Sequence, residues 1–259
     1  MLNARLQSLF SLSDRVALVT GSSAGIGFAL ARALASAGAR VVINGRDAAR
    51  VEAAVAALKQ GGLDAYGRAF DVADPAEVGA AIAGIEAEIG AIDILVNNAG
   101  VQRRAPLEEF EAAAWRELMA INVDAVFYVG QAAARAMIPR GRGVIINIAS
   151  VQSELARTNI APYTASKGAV KMLTKGMATD WGKHGLRVNA IAPGYFRTEL
   201  NKALVADQGF NAWLVNRTPM RRWAEVSELE GAAVFLASDA SSFVNGHVLY
   251  VDGGVTACL

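Results

Sequence analysis

Short apolar runs recur along this chain, each followed by a segment whose apolar residues repeat at helical spacing. Residues 15–20 (RVALVT), 41–44, 65–70, 93–96 (DILV), 144–148 (VIINI), 187–191 and 247–251 (HVLYV) read as strands. Residues 26–37, 48–59, 75–89, 115–137, 163–183 and 227–236 read as helices. A strand that is apolar at every position is covered on both faces, and strands alternating with helices pair in parallel. Local punctuation agrees. Gly38 ends the first helix, Gly61 and Gly62 close the second, and Asp74 caps the third, which Gly90 stops. Pro162 stands where the helix from about Tyr163 begins.

Because strand–helix–strand crossovers are right-handed, this order implies an α/β fold. The expected architecture is a Rossmann-type doubly wound parallel sheet in three layers, α/β/α. No linker, repeat or biased tract interrupts the pattern, so residues 1–259 are expected to form one domain. Residues 193–223 are the longest irregular stretch and a candidate substrate lid.

Composition narrows the function classes. The formal net charge is +1 with both signs interspersed, which gives no electrostatic case for nucleic acid or an anionic membrane. No apolar run approaches the roughly 18 residues of a spanning helix, and residues 1–13 lack the apolar centre of a secretory signal. The single cysteine, Cys258, offers neither an internal disulfide nor a zinc site, which fits a reducing cytoplasm. His184 and His247 stand in no metal-ligand spacing, so no metal is expected.

Between the first strand and first helix lies residues 20–27 (TGSSAGIG), with glycines spaced G-x-x-x-G-x-G. Gly21 permits a turn, Gly25 lets backbone approach a pyrophosphate, and Gly27 lets helix and strand pack closely. The helix N-terminus, opening at Ile26, offers unpaired N–H groups to phosphate. Alone, the motif is weak, and a glycine-rich turn without a ligand remains the lesser alternative. After the second strand stand Asn44, Gly45 and Arg46, with no carboxylate until Asp47. A guanidinium there suits a 2′-phosphate and favours NADP (NADPH) over NAD, although a solvated surface arginine would look the same.

Tyr163 and Lys167 are four apart, on one face of a helix. A cleft tyrosine beside an ammonium is expected to have a lowered pKa and to serve as a general acid/base. Taken alone, such a pair is more often an amphipathic face. Its neighbours change that weight. Ser150 follows the fifth strand, Asn97-Asn98-Ala99-Gly100 closes the fourth, and Pro193, Gly194 and Thr198 follow the sixth. All lie at the carboxyl edge of the sheet, where open α/β folds bind ligands.

This ordered set, residues 20–27, Asn97–Gly100, Asn122, Ser150, Tyr163-x-x-x-Lys167 and Pro193-Gly194, resembles that of the short-chain dehydrogenase/reductase superfamily over nearly the whole chain. Residues 150–180, 192–200 (APGYFRTEL) and 242–254 (SFVNGHVLYVDGG) more narrowly resemble its gluconate 5-dehydrogenase (5-keto-D-gluconate 5-reductase) branch. The resemblance implies an NADP-preferring oxidoreductase that reversibly interconverts D-gluconate and 5-dehydro-D-gluconate. It implies that Tyr163 moves the proton, Ser150 orients the substrate oxygen, and Lys167 holds the nicotinamide ribose. It gives Asn122 a water linking Lys167 to solvent. It places Asn98 and Gly100 by the ribose, Asp71 and Val72 by the adenine, and Pro193, Gly194 and Thr198 by the carboxamide. Many NADP-using members carry a basic residue where this chain has Ala24, so the 2′-phosphate is expected on Arg46, Asn44, Ser22 and Ser23. Relatives of this kind are usually homotetramers.

For substrate, Arg104 is the expected carboxylate ligand, with Glu154 and Arg157 as further polar contacts and a solvated rim as the plainer alternative. Two other readings stay open: a reductase of another sugar acid or of a 3-oxoacyl thioester, for which Arg221-Arg222 is a slender docking hint, and a dinucleotide-sensing protein without turnover. The last has no need of Ser150, Tyr163 and Lys167 together.

Overall fold

The computed structural model describes residues 3–258. In chain order its main elements are α1 (Ala4–Phe10), β1 (Val16–Val19), α2 (Gly25–Ser36), β2 (Arg40–Gly45), α3 (Ala48–Gln60) and β3 (Ala65–Ala69). Then come α4 (Pro75–Glu88), β4 (Ile92–Asn97), α5 (Ala112–Met119), α6 (Ala125–Met137), β5 (Gly143–Ile148) and α7 (Ala161–Trp181). The chain closes with β6 (Leu186–Pro193), α8 (Lys202–Ala206), α9 (Gln208–Arg217), α10 (Glu230–Ala237) and β7 (Val248–Val251).

The strands make one sheet in the order β3-β2-β1-β4-β5-β6-β7, every neighbouring pair parallel. The alternation of side chains sorts the core into two layers. Val16, Leu18, Leu95, Ile145 and Val188 face α4, α6 and α7, whereas Ala17, Val19, Ile94, Ile146 and Ile191 face α2, α3 and α10. This is the three-layer arrangement the apolar runs imply. Asp74 caps α4 by accepting from the N–H groups of Ala76 and Glu77, as its position foretells.

The structure departs from the sequence reading in three places. A short helix, α1, precedes β1; it buries none of its residues, so it left no periodic signal. Residues 115–137 are not one regular helix: α5 and α6 are joined by a wider π-helical turn at Ala120–Asp124, which holds Asn122 fully buried. Residues 193–223 are not simply irregular, because they contain α8 and α9.

One buried polar network ties the sheet to α7. The Asn97 amide donates to the Asn147 Oδ1 at 2.9 Å, and the Asn147 amide donates to the Thr174 hydroxyl at 2.9 Å. Thr174 in turn donates to the Val170 carbonyl. Asn97 and Asn147 are cross-strand partners, and all three side chains are essentially inaccessible. Asn147→Leu would leave Asn97 and Thr174 each short of a partner. We expect it to lower the unfolding free energy by about 2–4 kcal/mol in urea titrations. A loss below about 1 kcal/mol would show that the network contributes little.

Candidate active site

The strand order reverses between β1 and β4, where crossovers leave in opposite directions and a crevice must open at the carboxyl edge. A cavity of about 670 Å³ occupies that edge. Gly21, Gly25, Ile26, Gly27, Asn44 and Arg46 line one arm, and Asp71, Val72, Asn98 and Gly100 continue it. Ser150, Tyr163 and Lys167 line the middle, with Pro193, Gly194 and Thr198 opposite on the β6 side.

The glycine loop is shaped by backbone demands. Gly21 and Gly25 hold φ of 59° and 60°, in the left-handed region. A Cβ on Gly27 would lie 2.5 Å from the Gly21 carbonyl oxygen and 2.4 Å from the Asn98 amide, so only glycine fits. A Cβ on Gly25 would meet nothing, which leaves this backbone open to the cavity. Ala24, at the N-cap of α2, makes no side-chain cap bond, and the first N–H groups of the helix stay free of one.

Asn98 stitches this loop to β4. Its amide nitrogen donates to the carbonyls of Thr20 at 2.9 Å and Gly21 at 3.0 Å. The Thr20 hydroxyl accepts from the N–H groups of Asn98 and Ala99. Ser22 and Asn44 are braces of the same kind. The Ser22 hydroxyl donates to the Val19 carbonyl at 2.6 Å and accepts from the Asn44 N–H, while Asn44 Oδ1 accepts from the Gly21 N–H. Ser22 is fully buried, and neither it nor Ser23 lines the cavity. Of the residues expected near a 2′-phosphate, Asn44 and Arg46 line the cavity, and Arg50, outside that expectation, lines it beside them. Arg50 is one turn into α3, a placement with no motif to mark it. Arg46 is open to solvent and lies 4.0 Å from Asp71.

Tyr163 and Lys167 stand on the first turns of α7, and Ser150 N-caps a short 3₁₀ turn at Val151–Ser153, its hydroxyl accepting from the Gln152 N–H. The expected lowering of the tyrosine pKa is not found. Burial pushes the Tyr163 phenol up, and the Ser150 hydroxyl pulls it back only in part. The Lys167 ammonium donates to the Ile148 carbonyl at 2.7 Å and lies 5.7 Å from the centre of the Tyr163 ring. Burial lowers its own pKa to about 8. Desolvation of both groups outweighs the attraction that spacing alone suggested.

Asn122 spends its side chain on structure. Oδ1 accepts from the Val101 N–H, and Nδ2 donates to the Val101 carbonyl and the Ser166 hydroxyl. Both amide hydrogens are taken, so the side chain does not reach Lys167 through a donor. A Cβ on Gly100 would lie 3.3 Å from Asn122 Oδ1 and 3.8 Å from Lys167 Nζ, so this turn packs closely on both side chains.

At the substrate end the expected residues part company. Arg104 is largely exposed; burial of part of it, then the nearby Arg157 charge, lowers its pKa. Arg157 lines the cavity. Arg103 is paired with Glu117 at 2.9 Å. Glu154 does not line the cavity: Lys171 forms an ion pair with it, and the Tyr250 hydroxyl donates to it at 2.9 Å. That contact joins chain segments about a hundred residues apart, so no local pattern announced it. Gln152 and Tyr195, missed from sequence, line the cavity, and Gln152 Nε2 lies 3.4 Å from the Tyr195 hydroxyl. The Arg221-Arg222 pair is occupied: Arg222 grips Glu228 through two bonds and Arg221 holds the Asn216 carbonyl.

Comparison with known proteins fits this geometry. The family model described as enoyl-(acyl carrier protein) reductase matches residues 21–256. The chain is 62% identical to a gluconate 5-dehydrogenase of Gluconobacter oxydans, over 97% of this chain and 98% of that one. It is 54% identical to a 5-keto-D-gluconate 5-reductase of Escherichia coli, over 96% and 98%. The crystal structure of a gluconate 5-dehydrogenase from Burkholderia cenocepacia, in complex with NADP and tartrate, superposes with a TM-score of 0.96 at 57% identity, covering 98% of this chain and 100% of that one. A full-length match, seven parallel strands in this order, and Ser150, Tyr163 and Lys167 together on one cavity place the chain in the short-chain dehydrogenase/reductase family.

Proposed function

We propose that this protein is an NADP(H)-dependent oxidoreductase that reversibly interconverts D-gluconate and 5-dehydro-D-gluconate. The observation that carries the reading is one cavity lined by an uncapped helix N-terminus, by Ser150, Tyr163 and Lys167, and by Arg157, with the exposed Arg104 outside the lining and bonded to Gln102 of it at 3.0 Å. The relatives named above support the same substrate by their own activity, and the Burkholderia structure supports the same cofactor.

The lining fits a pyridine dinucleotide. Gly25 leaves room for a pyrophosphate, and Thr198 keeps a buried hydroxyl with no protein partner, as a site for a carboxamide requires. In this reading Gly21, Gly25, Ile26 and Gly27 hold the pyrophosphate, and Asn44, Arg46 and Arg50 face the 2′-phosphate. Asp71 and Val72 flank the adenine, while Asn98, Gly100, Tyr163 and Lys167 meet the ribose and Pro193, Gly194 and Thr198 the carboxamide. When bound, NADP(H) supplies or accepts the hydride.

The chain's own groups handle the proton. In reduction, Ser150 orients the carbonyl oxygen and Tyr163 donates its phenolic proton to it. A raised pKa keeps that proton in place at neutral pH until the oxygen takes up charge. Lys167, as ammonium, then stabilises the phenolate, and in oxidation Tyr163 takes the proton back. Asn122 acts through position, fixing Val101 and Ser166 around Lys167. Arg104 binds the substrate carboxylate. Residues 193–223 serve as a lid over the single domain.

We place the protein in the cytoplasm as a homotetramer. Trp115, Phe127 and Met172, on α5, α6 and α7, expose apolar surface that assembly would cover. Among the described residues no helix is long and apolar enough to cross a membrane, and no cluster holds a metal ion.

Purified protein should oxidise D-gluconate with NADP and reduce 5-dehydro-D-gluconate with NADPH. Tyr163→Phe should lower kcat/KM by about 10²- to 10⁴-fold while NADPH binding holds within about twofold. Reduction of a 3-oxoacyl thioester but not of the keto acid would sink the substrate assignment. Arg46→Leu combined with Arg50→Leu should raise the KM for NADPH by about 10- to 100-fold and leave that for NADH within about threefold. An equal change for both cofactors would remove the 2′-phosphate role.

Lys167 links function to stability. Its pKa in the fold, about 8, lies below its ordinary value, so the unfolded chain binds that proton more tightly. Burying the ammonium therefore costs stability below about pH 8, and the cost fades as pH rises toward the ordinary lysine value of about 10.4. In cofactor-free protein Lys167→Met should unfold on the order of 1–2 kcal/mol harder at pH 7, after subtracting the lost bond to Ile148, with the advantage gone by about pH 10. Denaturant titrations at several pH values would show it; a pH-independent difference would refute it.

A further inference from the structure

Arg157 sits on the loop that follows Ser150 and lines the cavity. Among the described residues it forms no ion pair. Its Nε is buried without a partner. Its guanidinium carbon lies 5.3 Å from the centre of the Phe210 ring, on α9. A second cation, Arg104, is close enough that the two charges repel. Arg157 faces the cavity, and Arg104 is exposed and donates to Gln102 of its lining at 3.0 Å; two neighbouring guanidinium groups with no acid paired to either are a poor arrangement for an empty protein and a good one for an anion.

Phe210 is not an isolated ring. It packs 5.2 Å from Trp213, 5.8 Å from Tyr195 and 6.3 Å from Trp223, centre to centre. Tyr195 bridges the same rings, and the Trp223 indole N–H donates to Asn211 on α9 at 2.7 Å. Leu214 is the one residue of α9 that is fully buried. The aromatic cluster is therefore a principal hold of α9 on the body, and Arg157 touches it from the cavity side.

We propose that Arg157 is a specificity-determining residue: with Arg104 it takes the carboxylate of the sugar acid, and by stacking on Phe210 it couples that anion to the closure of α9. The inference rests on the sugar-acid reading above. Guanidinium chemistry suits the double task. Its edge forks onto a carboxylate while its flat face stays on an aromatic ring, which an ammonium cannot do. A neutral polyol of the same length leaves both cations unpaired and gives α9 no signal. Gln152 Oε1, buried and unpartnered in the same wall, is then free for a substrate hydroxyl.

The test is direct binding to the NADPH-loaded protein, whose reduced cofactor cannot take a hydride from D-gluconate, by calorimetry and tryptophan emission. The probes are D-gluconate and D-glucitol, which differ in one carboxylate. In the parent D-gluconate should bind and shift the emission of Trp213 and Trp223. Arg157→Met should weaken D-gluconate by about 10- to 100-fold, the scale of a lost charge-assisted contact, and leave D-glucitol and NADPH within about twofold. Arg157→Lys should fall between, keeping charge without the fork. Phe210→Leu should retain D-gluconate binding while losing most of the emission change. Equal weakening of both polyols or of NADPH, or no effect on D-gluconate, would overturn the proposal. Calorimetric binding in the parent with unchanged emission would overturn the coupling to α9. Binding is read without turnover, so the two readings fail separately. Arg157-dependent binding of D-gluconate with no oxidation would end the proposed activity alone. Oxidation that ignores Arg157→Met would end this inference alone.

Discussion

The site depends on how the two halves of the sheet are joined where their crossovers part. At that seam the Asn98 amide holds the carbonyls of Thr20 and Gly21, and Thr20 returns the hold through its hydroxyl. Four hydrogen bonds thus tie the end of β1 to the end of β4. They fix the glycine loop against the sheet, and Gly27 must be bare because the Asn98 amide and the Gly21 carbonyl already fill the place of a side chain. The placing of the glycine loop, and with it of the free N-terminus of α2, follows from this seam.

The middle of the cavity shows a second constraint, between solvation and function. Tyr163 and Lys167 are placed by α7, which the Asn147–Thr174 bond anchors to the sheet. Rigid anchorage gives both side chains fixed positions, but it also removes water from them. The lysine keeps one carbonyl as partner and no carboxylate, which is why its proton is loosely held. A protein selected for stability alone would place an apolar residue there. The proton-transfer role proposed for the pair supplies a reason to retain the ammonium.

Much of this was legible in the chain. The central strands were plain because both their faces are buried, so apolar residues run without a break, as in Val16–Val19. The glycine loop and the Tyr163–Lys167 spacing were plain because backbone geometry and helical pitch demand particular residues at particular distances. What escaped depends on contacts between distant segments. The pairing of Glu154 with Lys171 and Tyr250 withdraws it from the cavity, and nothing local marks that. Ser22 reads as a phosphate ligand until the turn is seen to point its hydroxyl at Val19. The helix α9 buries only Leu214 fully and is held through rings on Tyr195 and Trp223, so its own sequence carries little period. The direction of the Tyr163 pKa was missed because burial is a property of the whole fold, whereas the neighbouring lysine is visible in a line of text.

The wide turn at Ala120–Asp124 limits how this part of the chain can vary in length. Each residue of a helix advances it by about 100°. The turn sets the phase between α5 and α6, so deleting one residue there would swing the whole of α6 around its axis. Val126, Val129, Ala133 and Met137 would leave the sheet, or else Asn122 would leave Val101. A packing surface and a hydrogen-bonding side chain are locked into one reading frame. Substitution can explore this segment freely at its exposed positions, but insertion and deletion cannot, and the site and the core must be kept or lost together.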